Sequence, residues 1–396
     1  MVSGHLQEKK GNFYMVLSYP DEYGKRKTKW QSTGLPVKGN KKKAMEMLAA
    51  TRKEFVPPTP ISAINNGEIL FSEFMLNWLE IIKSNIEIVT YSGYCASVKN
   101  VIVPYFKKRG ILLKDLKASD LQMFYLEQLK RVSGTTVVRY HANIYSALKF
   151  AVKMDMVASN PAEKVQRPKK SGFVGNFYDS EEVGKLFEVS AGHRLELAIR
   201  FGAFYGLRRS EIVGLKWSAF DFTVNTFTIR HTVTSCTIDG EQIIIAKDRT
   251  KTASSMRTLP LVPQFREYLL EIKKQQEMYR ILCGNSYCTD YLDYIYVDEL
   301  GYRITPNYIT SAFPKLLEKY GLRRIRFHDL RHSCASLLLA NNVPMKQIQD
   351  WLGHSDFSTT ANIYAHLDYT SKLSSAEALL NGLSDVMNEV GKHPKE

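Results

Sequence analysis

The chain has 396 residues, 44% of them apolar and 11% aromatic, which suits two or three folded domains with their own cores and excludes a disordered protein. Lysine and arginine number 54 against 40 aspartate and glutamate; the formal charge of +14 points to a polyanionic partner, because each phosphate neutralised releases condensed counterions. Five scattered cysteines (Cys95, Cys236, Cys283, Cys288 and Cys334) imply neither a disulfide framework nor a paired zinc motif. The first ten residues lack a signal peptide's apolar core, and there is no apolar run of the roughly 18 residues that a membrane helix needs, so the expectation is a soluble protein in a reducing, intracellular setting with no membrane partner.

Residues 1–56 carry 12 Lys/Arg against 5 Asp/Glu, half of the net charge in a seventh of the chain. The pattern predicts strands over 12–19 and 25–33 around a turn at Tyr23-Gly24. A short helix over 41–55 then places Ala44, Met47, Leu48 and Thr51 on one side. Lys25, Arg26, Lys27 and Lys29, interleaved with Tyr19 and Trp30, suit the backbone or a groove of DNA. The plainer alternative is an edge strand that uses lysine to resist aggregation. Pro57-Pro58-Thr59-Pro60 cannot continue a helix and makes a stiff linker over 57–66.

An all-helical region is expected over 67–165. Phe74, Trp78, Ile81 and Ile82 space as one buried face, and Ser119-Asp120 can cap a helix that runs on through Leu129. Val137, Ile144, Leu148 and Val152 mark a further helix, and Asn160-Pro161 ends the pattern. Lys107, Lys108, Arg109, Lys130, Arg131, Arg139, Lys149 and Lys153 give this bundle a basic side that meets either DNA or water. Residues 166–176, with Lys169 and Lys170, read as a second linker, basic and flexible.

From 177 to 385 the pattern is mixed and mainly helical, with 386–396 as a tail. Asp179-Ser180-Glu181-Glu182 has the composition of a helix start, and Asp239-Gly240 a hairpin turn between strand-like runs over 227–238 and 242–246. Leu197, Phe201 and Phe204 lie on an apolar helix that Gly206 can end, and Ser210-Glu211 can open the next. Arg208 would then stand near a helix start, either holding an anion or paired with Glu211 at i+3. Lys251 sits in the polar stretch Arg249-Thr250-Lys251-Thr252-Ala253-Ser254-Ser255 before a strand over 256–261; it is either a proton donor or a solvated loop lysine. His328 and Arg331 share one helical face, with Leu330, Cys334, Leu337 and Leu338 supplying the buried side. His354 follows a helix over 344–352 that Gly353 terminates. Tyr364 is one of 22 tyrosines and carries no weight alone. Together these groups can bind a phosphodiester, attack it with a phenol and move the protons involved, without a metal ligand set.

Gly206-Leu207-Arg208-Arg209-Ser210-Glu211, Thr250-Lys251-Thr252 with Arg257-Thr258-Leu259-Pro260, His328-Asp329-Leu330-Arg331-His332, Leu352-Gly353-His354-Ser355 and Thr359-Thr360-Ala361-Asn362-Ile363-Tyr364-Ala365-His366 resemble, in order, the signatures of the tyrosine recombinases, the phage-lambda-integrase-like enzymes of phages and conjugative transposons. The match spans about 180–385. It implies a multidomain protein: a small α+β arm-binding domain, an all-α SAM-like core-binding domain and a mainly-α catalytic domain. It further implies that Tyr364 attacks the scissile phosphate to form a 3′-phosphotyrosyl link. Arg208 and Arg331 would hold the non-bridging oxygens, Lys251 would protonate the leaving 5′-oxygen, and His328 would accept a proton. His354 would hydrogen-bond the phosphate, with Glu211 supporting the cluster. The same resemblance implies integration and excision of a mobile element by a homotetramer on core and arm sites of double-stranded DNA, without metal, cofactor or ATP. It admits accessory DNA-bending or excision factors and a bacterial cytoplasmic location, at the nucleoid when active. A helix marked by Leu373, Ala376, Leu380, Leu383 and Met387 would dock on a neighbouring subunit or on its own domain. A type IB topoisomerase and a non-catalytic DNA-binding regulator are the alternatives.

Overall fold

A computed structural model describes residues 3–9, 11–20, 26–55, 68–169, 176–248 and 256–353. The turn at Tyr23-Gly24, the Pro57–60 linker and the helix expected over 373–387 lie outside the described residues. The chain divides into two compact units, one ending at Ser171 and the other beginning at Gly172. Among the described residues no helix is long and apolar enough to cross a membrane.

The first unit opens with a three-stranded antiparallel sheet, β1 (Ser3–Lys9), β2 (Asn12–Pro20) and β3 (Arg26–Pro36), in that spatial order, followed by helix α1 (Lys41–Glu54). The sequence reading missed β1, whose single large apolar residue is Leu6. Met15, Leu17 and Leu48 form a small core with Leu6, Met47 and Phe55 packed against it, so one face of the sheet is closed by α1. Register then sorts the basic strand. Lys27 lies opposite Tyr19 and Lys29 opposite Leu17, on the α1 side, where the Lys29 ammonium stands 5.5 Å from the Phe55 ring. Arg26 and Trp30 alternate to the other face; there Lys9 sits 5.5 Å from the Trp30 ring and Arg26 donates to the Ser3 hydroxyl at 3.4 Å. Of the four basic residues expected to act together, Lys25 is outside the described residues and the other three are divided between two surfaces.

Five helices follow in the same unit: α2 (Phe71–Ile82), α3 (Ile88–Ser97), which runs through the π-turn Val98–Ile102 into α4 (Val103–Lys107), α5 (Ala118–Leu129) and α6 (Gly134–Lys153). Phe71, Trp78, Phe106, Phe124 and Ile144 are buried together, with the Phe71 and Phe106 rings edge-on at 4.8 Å. Ile81 was expected in this face but is 38% exposed, because the stripe centres on Phe71, Met75 and Trp78 and Ile81 falls at its margin. The start of α5 also differs. The helix begins after Lys117, and Asp120 caps it from inside the first turn by accepting the Lys117 backbone N–H at 2.9 Å. Arg139 and Lys149 on α6, and Lys169 beyond it, are exposed; Lys170 is outside the described residues.

The second unit starts at α7 (Ser180–Ser190), where Asp179 and Glu182 cap each other's backbone N–H groups at 2.9 and 3.1 Å, as the composition predicts. Next come α8 (Glu196–Phe204), α9 (Arg209–Val213), β4 (Phe220–Asp221), β5 (Thr226–Ile229), β6 (His231–Ile238), β7 (Glu241–Asp248), β8 (Arg257–Pro260), α10 (Pro263–Cys283), α11 (Pro306–Lys319), α12 (Asp329–Ala340) and α13 (Met345–Leu352). Strands β4, β5 and β8 form one antiparallel sheet and β6–β7 a separate hairpin, with Asp239 and Gly240 both at positive φ in its two-residue turn. The single strand expected over 227–238 is therefore two. It breaks at Arg230, with Ile229 paired to Arg257 in one sheet and His231 to Asp248 in the other.

Phe201, Tyr205, Phe227 and Phe265 pack in the core of the unit, with Phe201 and Tyr205 each meeting Phe227 and Phe265 edge-on at centroid distances of 4.8 to 5.9 Å and stacking on each other at 5.4 Å. The α12 helix is buried continuously from Asp329 to Ser336, whereas Leu337 and Leu338 are only half-buried. The expectation of one buried side is thus corrected for residues 329–336: this part of α12 is enclosed all round, and its polar residues must find partners inside the protein.

Candidate active site

Helix α8 hands the chain to a tight turn. Gly206 takes φ +63°, and a Cβ there would meet the Leu352 side chain and the Cys334 sulfur, so both backbone and space require glycine. Arg208 follows in extended conformation as the residue before α9. Its guanidinium Nη1 donates to Glu211 Oε1 at 2.8 Å, and Glu211 Oε2 accepts the Arg208 backbone N–H at 2.9 Å. From β8, Arg257 reaches the same carboxylate, with Nη2 on Oε2 at 3.0 Å and Nη1 on Oε1 at 3.3 Å. Glu211 is wholly buried between them.

Three guanidinium groups then converge on the C-terminal end of α13. Arg257 Nε donates to the Trp351 carbonyl at 2.9 Å, Arg331 Nη2 to the Leu352 carbonyl at 2.7 Å, and Arg208 Nη2 to the Gly353 carbonyl at 3.0 Å. A helix end leaves its last carbonyls without partners and gathers partial negative charge, so cations are the fitting caps. Arg331 also donates through Nη1 to the Gly206 carbonyl at 2.6 Å, which joins the α8–α9 turn to α13 through one side chain. With 2% exposure, Arg331 is among the largest fully buried side chains described.

Electrostatics follow from this packing. Burial alone would raise the Glu211 carboxyl; the charges of Arg257, Arg208 and Arg331 overcome it and hold the group at about 2. Burial and the neighbouring Arg208 charge lower Arg331 well below the usual arginine range. Three guanidinium groups against one carboxylate make an inner cluster with surplus positive charge. Only Arg208 among them keeps a sizeable outlet, its side chain being 30% exposed against 7% for Arg257. An arriving anion would find fixed donors and would have little reorganisation to drive.

His328 immediately precedes α12 and keeps contact with solvent. Loss of hydration around the ring, then the positive surroundings of His332, Arg331 and Arg208, lower its pKa to about 4. At neutral pH it is an uncharged imidazole with a lone pair to offer. Asp329 fixes this turn: it is 2% exposed, takes a fork from Arg326 at 2.7 and 3.0 Å, and accepts the Arg326 backbone N–H at 2.8 Å.

The structure therefore brings Arg208, Glu211 and Arg331 into one cluster with His328 at the head of the Arg331 helix. Lys251, His354 and Tyr364 lie outside the described residues; His354 is the next residue after Gly353, whose carbonyl Arg208 holds. Arg257 was quoted within a motif but given no role by the sequence reading. Its signal was available in the alternation of Arg257-Thr258-Leu259-Pro260, which turns Arg257 inward with Leu259 and so calls for a buried acid. Asp329, likewise quoted without a role, is the second such residue. Among the described residues no group of three or more His, Cys, Asp or Glu could hold a metal ion.

Residues 176–371 match the model of the phage integrase family. A tyrosine recombinase XerC-like protein of Caldanaerobacter subterraneus subsp. tengcongensis is 27% identical over 339 residues, covering 81% of this chain and 86% of that protein. Among solved structures, the Tn1549 transposon integrase in complex with a circular intermediate DNA superposes with a TM-score of 0.63 at 19% identity, over 77% of this chain and 99% of that one. A lambda integrase tetramer bound to a Holliday junction gives 0.54 at 15% identity, over 90% and 94%.

Proposed function

The chain belongs to the phage integrase family of tyrosine recombinases, and from that premise we propose that it cuts and rejoins double-stranded DNA through Tyr364 to integrate and excise a mobile genetic element. The Tyr364 phenolic oxygen attacks the scissile phosphorus, and the P–O5′ bond breaks with its electron pair going to the 5′-oxygen. Lys251 gives that oxygen a proton, while the neutral His328 imidazole takes up the phenolic proton. Arg208 and Arg331 hold the non-bridging oxygens as negative charge grows, and His354 donates a hydrogen bond to the same phosphate. Glu211 supports the two arginines. The 3′-phosphotyrosyl ester conserves the bond energy, so a 5′-hydroxyl on the exchanged strand reverses the step without ATP.

The observation that carries this reading is the convergence of the Arg208 and Arg331 guanidinium groups on the end of α13, one residue before His354. The domain assignment goes with it: 1–56 binds arm-type sites, 67–165 binds core sites and 177–385 carries the chemistry. Lys25, with Arg26, Lys27 and Lys29 on the sheet, Arg139 and Lys149 on α6, and Lys169 and Lys170 contribute phosphate contacts. Assembly is a homotetramer on paired sites, assisted by bending or excision factors, in the bacterial cytoplasm.

The test is a suicide substrate in which the short strand 3′ of the cut diffuses away. The intact protein traps itself as a covalent adduct and Tyr364→Phe yields none while still binding the DNA; an adduct formed by Tyr364→Phe overturns the reading.

A further inference from the structure

The segment that leads into α12 carries a pattern of its own. Residues 322–326 form neither helix nor strand, and Arg324, Ile325, Arg326 and Phe327 alternate between exposed and buried. An extended chain turns successive side chains to opposite sides, so Ile325 and Phe327 join the core while the two arginines stay at the surface. These residues line a cavity of about 550 Å³, together with Thr310 and Pro314 of α11 and with Asn176. Ile325, Phe327 and Pro314 make its floor apolar, and Arg324 and Arg326 make its mouth basic.

The walls of this cavity are tied in place. Asp329, 2% exposed, takes the Arg326 fork at 2.7 and 3.0 Å, although the Arg326 side chain is itself 67% exposed. Asn176 donates through Nδ2 to the Arg324 carbonyl at 3.2 Å and accepts a hydrogen bond from Arg323. Thr310 accepts one from Arg209. The Arg324 side chain is exposed and has no partner among the described residues. One mouth cation is therefore braced by a buried acid and the other is open to a ligand.

Location says which ligand. Arg209 follows Arg208, Arg326 and Phe327 precede His328, and Asp329 opens the helix that carries Arg331. The cavity is thus bordered by chain neighbours of three residues that the proposed chemistry gathers around the scissile phosphate. That phosphate belongs to a continuous strand, so its neighbouring units are presented nearby at high effective concentration. A sugar–phosphate unit has the matching chemistry: deoxyribose carbons for the apolar floor and anionic oxygens for the guanidinium groups.

We propose that the cavity between the 322–327 segment and α11 seats a sugar–phosphate unit of the cleaved strand next to the scissile phosphate, with Arg324 and Arg326 on its phosphate, and so sets the register of that strand in the active site. This subsite rests on the proposed grip of Arg208 and Arg331 on the scissile phosphate. Arg324 and Arg326 touch no reacting atom; they are positioning residues.

The experiment uses duplexes carrying the protein's own cleavage site, with a neutral methylphosphonate placed in turn at each phosphate flanking the cut. Affinity is measured with full-length Tyr364→Phe protein, so that binding is read without cleavage. At one flanking position the neutral linkage should weaken binding about 10-fold, the loss of a charge-assisted hydrogen bond. Adding Arg324→Ala should weaken binding to the unmodified duplex by a similar factor and reduce the salt slope by about one, with unchanged thermal melting. In that variant the penalty should shrink at the one sensitive position, because the cation that met the charge is gone, and stay whole at all others. Arg324→Lys should restore part of the affinity. A penalty undiminished at every position, no sensitive position, or Arg324→Ala protein that binds as tightly as its parent overturns the subsite; the last result gives the cavity to another occupant. The chemistry is judged separately: a covalent adduct formed by Tyr364→Phe overturns the reading of the active site, whatever the affinities show.

Discussion

On the N-terminal sheet, Lys27 and Lys29 stand exposed on the face that carries α1 and Arg26 on the opposite face, separated by the alternation of one strand. Around α13, Arg208, Arg257 and Arg331 arrive from three distant stretches and make fixed hydrogen bonds to consecutive carbonyls, with Arg208 and Arg257 sharing the buried Glu211. Both groups suit phosphate, yet on the proposed function they would do different work. Exposed lysines act by counterion release, which is additive, sensitive to salt and tolerant of losing one member. Enclosed guanidinium groups act through geometry, and Arg208 and Arg257 share one carboxylate, so their losses do not add.

The largest effect expected from this contrast is on the enclosed side. Arg257→Met strips Glu211 of two of its bonds while leaving it buried, and should destabilise the protein by about 3–5 kcal/mol in thermal or denaturant unfolding. Adding Glu211→Gln should recover part of that loss; a double variant showing the plain sum of the single effects would mean that the two residues are not coupled. Next comes Arg331→Lys. Lysine cannot span the Gly206 and Leu352 carbonyls with a planar fork, and single-turnover cleavage should fall about 10²- to 10³-fold with DNA affinity nearly unchanged.

Acid sharpens the comparison further. The Glu211 carboxyl is depressed from 4.5 to about 2, so its stabilising contribution is complete above pH 4.5 and disappears as pH falls toward 2. A shift of that size corresponds to roughly 3 kcal/mol. Unfolding measured between pH 5 and pH 2.5 should show this slope in the native protein and its loss in Glu211→Gln. The smallest effect belongs to the sheet. Lys29→Ala should weaken DNA binding a few-fold and reduce the salt slope by about one, with the cleavage rate of bound DNA unaltered.

Much of the fold could be read from local chemistry. Asp179 and Glu182 cap α7, Asp239-Gly240 turns a hairpin, and Gly353 ends α13 at φ +66°, each for reasons contained within four residues. What escaped depended on distant partners. Nothing between Phe227 and Ile238 reveals that Ile229 will pair with Arg257 while His231 pairs with Asp248, because strand pairing is chosen by the whole sheet. The enclosure of α12 was hidden for the same reason: its polar residues look like a solvated face until Gly206, Leu352 and Arg326 are seen to receive them. In the cluster, the resemblance gave roles to Arg208 and Arg331 but none to Arg257, whose importance lies in which carboxylate it meets.

The anchorage of α13 has one more implication. Its three acceptors are main-chain oxygens at 351, 352 and 353, and every amino acid supplies such an oxygen. Substitution at those positions can crowd the lock, as any side chain at 353 would crowd Arg257, but it cannot delete the acceptors. Helix length is the exposed variable. Inserting one residue into α13 would rotate its end by about 100° and advance it by about 1.5 Å, so all three oxygens would leave register together. The protein can thus vary the spelling of this segment far more freely than the number of its letters.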